Sequence, residues 1–211
     1  MKPFIKVGLT GGIAAGKSTV TRRWLEAGAT VVDADELAHE ALAVGTPTHA
    51  EVVKTFGKKI LGAEQTINRR ALGKIVFADE RKRLALNQII HPYVHKAVTK
   101  TLTQWERDGQ AAIGVVSIPL LYEVGEENHF DCVVTVACSE QTQIARLAGN
   151  GLSKVQARAR IRAQWPLATK MDRADFVIWN DGSLKVLHQQ AGVIWATIKE
   201  TCHAARKIPQ N

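Results

Sequence analysis

The stretch that decides the fold is GGIAAGKS, residues 11–18, which directly follows the apolar run IKVGLT of residues 5–10. It matches the phosphate-binding pattern G-x-x-x-x-G-K-[ST] after a predicted strand, where this pattern is expected. The two glycines let backbone N–H groups turn inward around a polyphosphate at the N-terminus of the next helix. Lys17 supplies a positive charge and Ser18 a hydroxyl ligand for Mg²⁺, so the stretch predicts a P-loop.

The alternative interpretation is a glycine-rich turn that only caps a helix. The residues that follow disfavour it, because Val20, Trp24 and Leu25 share one side of a predicted amphipathic helix. A strand, the glycine pattern and a helix in this order favour phosphate binding over a simple turn.

The composition predicts one globular unit with elaborations. The chain has 211 residues, of which 45% are hydrophobic and 23% charged. No apolar run approaches the ~20 residues of a membrane span, and the N-terminus has no signal-peptide pattern, so we expect no membrane association and a cytoplasmic location. The three cysteines lack metal-binding spacing and are expected to be inert thiols rather than disulfides or zinc ligands: Cys132, Cys138 and Cys202.

The net charge favours an anionic partner. The formal charge is +8 and the pI about 9.6, which suits either nucleic acid or a phosphorylated small molecule. The basic residues are scattered, without a basic block, an aromatic stacking platform or a zinc-finger spacing, so we expect no nucleic-acid partner. We expect a monomer or a weak homo-oligomer.

Five short apolar runs predict the strands of a parallel sheet. Most are continuous and β-branched rather than alternating, as in sheets that are buried on both faces. The fold class is therefore α/β, with the first two strands joined by one helix in a right-handed crossover. The predicted strands are residues 4–10, 29–33, 112–118, 132–137 and 176–179.

A helical insertion separates the second and third predicted strands. Its helical patterns are punctuated by glycines and by His91-Pro92. We expect it to form a subdomain, residues 36–110, inserted in a nucleotide-binding core of residues 1–35 and 111–211. A basic segment, residues 140–165, is predicted to act as a lid over the phosphates, and residues 184–205 are predicted to form a helix against the sheet.

The motifs that are absent narrow the kind of P-loop protein. The chain lacks the N-K-x-D and D-x-x-G motifs of GTPases, and its third strand ends at Pro119 without an acidic residue. An acidic pair, Asp33 and Asp35, instead follows the second strand, at the sheet edge where α/β proteins bind ligands. Such a carboxylate serves as a base, orients a hydroxyl or holds Mg²⁺ through water. The alternative is that one of these aspartates only caps the next helix, and this role is expected of Asp35 more than of Asp33.

With these motifs the chain resembles the dephospho-CoA kinases. The resemblance rests on blocks that run in order along nearly the whole chain: residues 8–13 and 16–19, Asp33-Ala34-Asp35, residues 67–72, residues 89–92, residues 119–123, Arg160-Ile161 with Gln164, Lys170, Ala174-Asp175, Val177-Ile178 and Asn180. The resemblance implies a P-loop kinase three-layer sandwich with a five-stranded parallel sheet, a helical substrate-binding insertion and a lid. It also implies ATP- and Mg²⁺-dependent phosphorylation of the ribose 3'-hydroxyl of dephospho-CoA.

The resemblance also implies roles for individual residues. Lys17 is expected to neutralise charge in catalysis, Asp33 to be the candidate base and acceptor contact, and Ser18 to bind the metal. Loss of Lys17 is expected to reduce the rate severely and proton removal to be secondary, because positioning and charge neutralisation dominate phosphoryl transfer. The residues expected to bind ATP are Gly12, Ile13, Ala14, Ala15, Gly16, Lys17, Ser18, Thr19 and Asn180.

Four more residues are candidates for contact with the acceptor. Arg69 and Arg70 suit the pyrophosphate of dephospho-CoA, and the alternative is that they are solvated helix arginines, which applies more to Arg70. His91 is either an acceptor contact or the cap of a helix that ends before proline. Glu123 either orients the acceptor, pairs with a site arginine or is a solvated loop carboxylate.

The sequence departs from the family pattern in the lid. The family usually begins its lid with Arg-Leu, two variable residues and a second arginine that reaches the transferred phosphate, but Asn150 stands at the second arginine's position. An amide cannot replace that charge. Either an arginine of the lid substitutes, with Arg160 the first choice among Arg146, Arg158, Arg160 and Arg162, or turnover is reduced. In the P-loop, Ala14 restricts the backbone where glycine is common.

Two alternatives to this function stay open at the level of sequence. One is another P-loop kinase that acts on a small alcohol or a nucleotide. The other is a nucleotide-binding protein with weakened catalysis, which is motivated by Asn150.

Overall fold

All five predicted strands are present, with bounds within one residue of those predicted. The computed structural model describes residues 4–109 and 112–205, and within them all side chains except those of residues 77 and 202–205. The strands are β1 (Ile5–Gly11), β2 (Thr30–Asp33), β3 (Ile113–Ser117), β4 (Cys132–Ala137) and β5 (Phe176–Trp179).

Helices connect these strands. They are α1 (Lys17–Glu26), α2 (Ala34–Ala41), α3 (Pro47–Phe56), α4 (Arg69–Ala78), α5 (Glu80–Asp108), α6 (Glu140–Gly149), α7 (Lys154–Arg162), α8 (Leu167–Asp172) and α9 (Leu184–Ala205). The prediction that His91-Pro92 punctuates the helical pattern was wrong, because α5 runs through Pro92 over 29 residues. The proline removes one backbone hydrogen bond, but apolar residues on both sides of it, Ile90 and Val98, are buried.

The five strands form one sheet in the order β2-β3-β1-β4-β5. Strand β1 pairs in parallel with β3 on one side and with β4 on the other, so that Leu9 lies opposite both Ser117 and Val134. The chain reverses its direction of winding at β1, and α/β sheets bind ligands at the carboxyl ends of strands at such a switch point. The residues that follow β1 are those of the predicted P-loop.

The sheet is covered on both faces, which confirms the predicted three-layer α/β fold. Alternate residues of the central strands, among them Val7 and Val134, pack in one buried cluster with α1 and α9. Trp24 of α1 donates a hydrogen bond from Nε1 to the carbonyl of Ala191 at 2.9 Å. The opposite face has its own buried cluster of Leu121, Tyr122 and Val133.

The chain divides into two compact units. The first comprises the residues up to Val32 and those from Leu102 onward, and the second comprises Asp33–Thr101. The second unit therefore begins three residues before the predicted insertion 36–110 and ends nine residues before the end of that insertion. At its C-terminal side the reason is packing, because the side chains of Leu102 and Trp105 lie against Gly114 of β3.

The second unit is helical and has a core of its own. Its buried residues come from α3, α4 and the turn between them: Val52, Phe56, Ile60, Leu72 and Val76. A histidine of α3, His49, contacts the carbonyl of Gln65 through Nε2 at 2.8 Å. Among the described residues, none of the helices combines the length and apolar character needed to cross a membrane.

Candidate active site

The loop between β1 and α1 has a backbone that few other sequences could adopt. A Cβ atom at Gly11 would lie 2.1 Å from the carbonyl oxygen of Val136. Gly16 has a φ of +107°, and a Cβ atom there would lie 2.3 Å from Nδ2 of Asn180. Ala14 also has a positive φ, 57°, which costs an L-residue about 1–2 kcal/mol. Ala14, which was expected to restrict the backbone, thus adopts a strained conformation, and neighbouring contacts must hold the loop in place.

Two glutamines hold the loop at Ile13. Gln143 of α6 donates from Nε2 to the Ile13 carbonyl at 2.8 Å, and the Ile13 N–H donates to Oε1 of Gln164 at 2.8 Å. Within the loop, the Ala15 N–H donates to the Gly12 carbonyl at 3.1 Å. Both polar groups of the Ile13 backbone are therefore bound by side chains that are distant in the sequence.

Arg146 and Asn180 hold the next part of the loop. Arg146 donates from Nη1 to the carbonyls of Ala14 and Ala15, at 3.0 and 3.2 Å, and from Nη2 to the carbonyl of Asn180 at 2.9 Å. Asn180 is buried, and its Nδ2 donates to the Ala15 carbonyl at 2.7 Å. Because these carbonyls point toward Arg146 and Asn180, the loop's peptides are oriented for amide-based phosphate binding.

Lys17, Ser18 and Thr19 form the first turn of α1, directly after the loop. Ser18 is exposed, while Lys17 and Thr19 are half-buried. The helix N-terminus adds a partial positive charge to that of the lysine. This turn can therefore hold anionic oxygens and a hydroxyl-bound cation together.

Asp33 ends β2 and caps α2. Its Oδ1 accepts a hydrogen bond from the Asp35 N–H at 2.8 Å, and the helix starts at Ala34. The expectation that the capping role belongs more to Asp35 was therefore wrong, because Asp35 lies within the first turn. Capping uses only Oδ1 of Asp33, so a second role for this carboxylate stays a prediction.

The predicted acceptor residues of the second unit lie on two helices. Arg69 and Arg70 are exposed in the first turn of α4, which is capped by Asn68 through a 3.1 Å hydrogen bond from the Ala71 N–H. His91 is half-buried in the interior of α5. The interpretation of His91 as the cap of a helix that ends before proline was wrong, since the helix does not end there. Contact with the acceptor stays a prediction for these residues.

Glu123 is neither solvated nor paired with an arginine in this structure. Its Oε1 lies 2.7 Å from Nζ of Lys170, which is fully buried. The same oxygen accepts a hydrogen bond from the Trp165 N–H at 2.8 Å, and Lys170 also donates to the Pro119 carbonyl at 3.0 Å. The pair fixes the end of the predicted lid, and orientation of the acceptor by Glu123 stays a prediction.

The predicted lid consists of α6, α7 and the turns that flank them. Asn150 is the exposed C-terminal cap of α6, and Gly151 follows with a φ of +83°. Arg158 of α7 lies 3.8 Å from Glu140, and Arg160 is half-buried in the last turn of α7. Arg146 is bound to the loop backbone, and contact of Arg160 with the transferred phosphate stays a prediction.

The pKa values of Asp181 and of two cysteines of the first unit are shifted. The Ser139 N–H donates to both carboxylate oxygens of Asp181, and this hydrogen bonding lowers the pKa of Asp181. Burial raises the pKa of the Cys132 thiol to about 12 and also raises the pKa of Cys138. Both described thiols are thus poor nucleophiles, as predicted, whereas the side chain of Cys202 lies outside the described residues.

Gln143, Gln164 and Lys170 make contacts at the loop and at Glu123 that the sequence did not predict. Gln143 lies three residues before Arg146, and the pair falls on one face of a helix, which was the available signal. Gln164 and Lys170 belonged to the matching blocks, but nothing in their spacing pointed to the loop or to Glu123.

Comparison with known proteins agrees with this geometry. A family model described as dephospho-CoA kinase matches residues 5–186. The chain is 46% identical over 199 residues to the dephospho-CoA kinase of Bacillus licheniformis, over 92% of this chain and 98% of that protein.

Two solved structures are similar over almost the whole chain. The protein TT1252 from Thermus thermophilus has a TM-score of 0.78 at 34% identity and covers 94% of this chain and 98% of its own. The dephospho-CoA kinase from Campylobacter jejuni has a TM-score of 0.69 at 26% identity, with coverages of 93% and 98%.

Proposed function

Since this chain belongs to the dephospho-CoA kinase family, we propose that its P-loop, lid and helical unit together carry out the reaction of that family. The reaction is ATP-dependent phosphorylation of the ribose 3'-hydroxyl of dephospho-CoA, the last step of coenzyme A synthesis. The observation that carries the proposal is the P-loop at the switch point of the sheet, in a chain whose family match extends over residues 5–186.

The ATP phosphates are assigned to the loop from Gly12 to Thr19. Its strained backbone is fixed by hydrogen bonds from Gln143, Arg146 and Asn180. Preorganised N–H groups cost no reorganisation during the reaction, which is the main source of electrostatic catalysis. Lys17 then places its charge against the β- and γ-phosphates.

Magnesium fits the first turn of α1. Ser18 offers an exposed hydroxyl next to the phosphate-binding amides, and oxygen donors beside phosphates are what Mg²⁺ prefers. When bound, the ion neutralises part of the charge on the phosphates. Asp33 is assigned either to the attacking hydroxyl or to a water of the metal, in addition to capping α2.

The acceptor is assigned to the helical unit Asp33–Thr101. Arg69 is exposed in the first turn of α4, where a forked guanidinium suits the pyrophosphate of dephospho-CoA. His91 is assigned to the same substrate. Glu123 is retained as an acceptor contact in the first unit, and Arg160 of α7 is the lid arginine assigned to the transferred phosphate.

The test is a coupled ADP assay with Mg²⁺, ATP and dephospho-CoA, in which the product is identified by mass. We expect ADP and a product heavier by one phosphoryl group, and no product with Lys17→Met. A matched control is Lys199→Met, at an exposed position of α9. Faster phosphorylation of a nucleoside monophosphate or a shikimate-like alcohol would refute the acceptor assignment, and ligand binding without ADP formation would favour a protein with weakened catalysis.

A further inference from the structure

The peptide units on either side of Ile13 are bound by two glutamine side chains from different parts of the chain. Gln143 donates to the Ile13 carbonyl and Gln164 accepts from the Ile13 N–H, both at 2.8 Å. Gln143 is only 4% exposed, and its Nε2 lies so near Gly12 that a Cβ atom there would be 2.5 Å away. The contact leaves no space for a different arrangement at this point of the loop.

The polarity of the backbone determines which end of each amide faces Ile13. A carbonyl can only accept and an N–H can only donate, so Gln143 must present its NH₂ group and Gln164 its oxygen. The two side chains are therefore chemically distinct, although they are the same amino acid. Replacement of glutamine by glutamate should preserve one contact and destroy the other.

The residue that follows is the strained one. Ala14 has a φ of 57°, a conformation that persists only where surrounding contacts determine it. We propose that Gln143 and Gln164 are positioning residues that clamp the Ile13 backbone and thereby hold the next loop residues in the conformation that receives the phosphates of ATP. This inference rests on the proposed function, since it concerns the ATP half of the same site.

Gln164 is in turn held from the C-terminal end of the lid. The next residue, Trp165, donates its N–H to Glu123 at 2.8 Å, and its ring stacks on Tyr122 with centroids 6.4 Å apart and planes 10° from parallel. The end of the segment that contains α7 is thus fixed one residue from the loop clamp. A displacement of the lid at this point pulls directly on the Ile13 N–H.

The first experiment measures amide hydrogen exchange of the loop without nucleotide, by NMR on the full chain. Gln164→Met removes the acceptor of the Ile13 N–H, and loss of this hydrogen bond predicts roughly 3- to 10-fold faster exchange of the Ile13 amide. Gln143→Met removes the donor to the Ile13 carbonyl, and we expect it to speed exchange of the same amide less, by loosening the clamp. Gln164→Glu keeps the acceptor oxygen and should exchange like wild type. Gln143→Glu loses the donor and should exchange faster. Gln141→Met, at an exposed position of the same helix as Gln143, is the matched control and should change nothing.

The second experiment separates positioning from general stability through kinetics. We expect Gln164→Met to raise KM for ATP roughly 3- to 10-fold, the range of one hydrogen bond, while KM for dephospho-CoA stays unchanged. Gln164→Glu should also raise KM for ATP, because it adds a negative charge beside the phosphates, although its exchange is normal.

The clamp is refuted if Gln164→Met leaves both Ile13 exchange and KM for ATP as in wild type. It is refuted equally if the two glutamate variants behave alike in exchange. If a methionine variant does not fold, the glutamate variants still test the clamp, because Ile13 exchange should be as in wild type in Gln164→Glu and faster in Gln143→Glu. If wild type phosphorylates no dephospho-CoA, the proposed function fails, and exchange with and without ATP still tests the clamp.

Discussion

The Nζ atom of Lys170 lies 2.7 Å from Oε1 of Glu123, and the lysine side chain is fully buried. Lysine is almost never fully buried without a partner, and here it is also bonded to the Pro119 carbonyl. The pair joins α8 to the loop that follows β3, and through the Trp165 N–H it joins both to the end of the lid.

Removal of the lysine alone should destabilise the protein strongly. Lys170→Met leaves the Glu123 carboxylate without its counter-charge, and breaking a buried pair in this way typically costs about 3–5 kcal/mol of unfolding free energy. The double variant Lys170→Met with Glu123→Gln should lose clearly less, because no buried charge remains. Urea unfolding measures both. Lys54→Met is the control, since the Lys54–Glu51 pair is exposed and should contribute less than about 1 kcal/mol. Equal losses in the single and double variants would contradict this account.

Asp33→Asn should separate catalysis from capping. Asparagine keeps an Oδ1 atom that can accept from the Asp35 N–H, and it caps helices as well as aspartate does. The free energy of unfolding should therefore change little. If Asp33 is the base, turnover in the ADP assay should fall by roughly 10² or more. Near-normal turnover of Asp33→Asn would refute the hypothesis that Asp33 is the catalytic base. Asp33→Ala is the comparison that also removes the cap, at a cost of about 1 kcal/mol.

Asn150→Arg should raise turnover or leave it unchanged. Asn150 is exposed at the C-terminal cap of α6, where a positive charge suits the helix dipole. The variant restores the charge that the family places there. Steady-state kinetics with Asn150→Gln as the uncharged control give the answer. A large loss of turnover in Asn150→Arg would show that Asn150 has a role of its own.

The strain at Ala14 should be measurable. Ala14→Gly relieves a left-handed conformation that costs an L-residue about 1–2 kcal/mol, and it loses about 0.5–1 kcal/mol through the entropy of the unfolded chain. We expect a net gain in unfolding free energy of between zero and about 1.5 kcal/mol. Ala15→Gly, at a fully buried position, should instead be destabilising. A clear loss of stability in Ala14→Gly would mean that the left-handed conformation of Ala14 carries little strain.

Asp181 should contribute to stability in a pH-dependent way. Its pKa is lowered below the ordinary value of 3.8 by the Ser139 N–H, so its contribution is fully present above that value and is lost as the pH falls through the lower folded-state pKa. The difference in unfolding free energy between wild type and Asp181→Asn should therefore be constant at neutral pH and shrink in acid. Urea unfolding at several pH values measures this difference. If the difference grew in acid, the pKa of Asp181 would be raised by folding rather than lowered.

Much of the fold was predictable because its signals are local. The strands are continuous apolar runs that are buried on both sides, and GGIAAGKS places a phosphate loop after the first of them. The prediction that a helix ends at His91 was wrong, because the packing of Ile90 and Val98 outweighs the hydrogen bond that Pro92 cannot make. The sequence also left open whether Asp33 or Asp35 caps α2. The cap is Asp33 because the helix begins at Ala34, directly after the strand ends.

The sequence by itself determined the α/β class, the P-loop and the family, since each depends on residues that are adjacent or in a fixed order. Only the tertiary structure decided what holds the loop. Gln143, Arg146, Gln164 and Asn180 lie 130 or more positions from their partners in the loop, and no periodicity relates residues so far apart. Their side chains meet the loop because the parallel sheet brings the carboxyl ends of its strands to one edge, where unsatisfied backbone groups require polar partners.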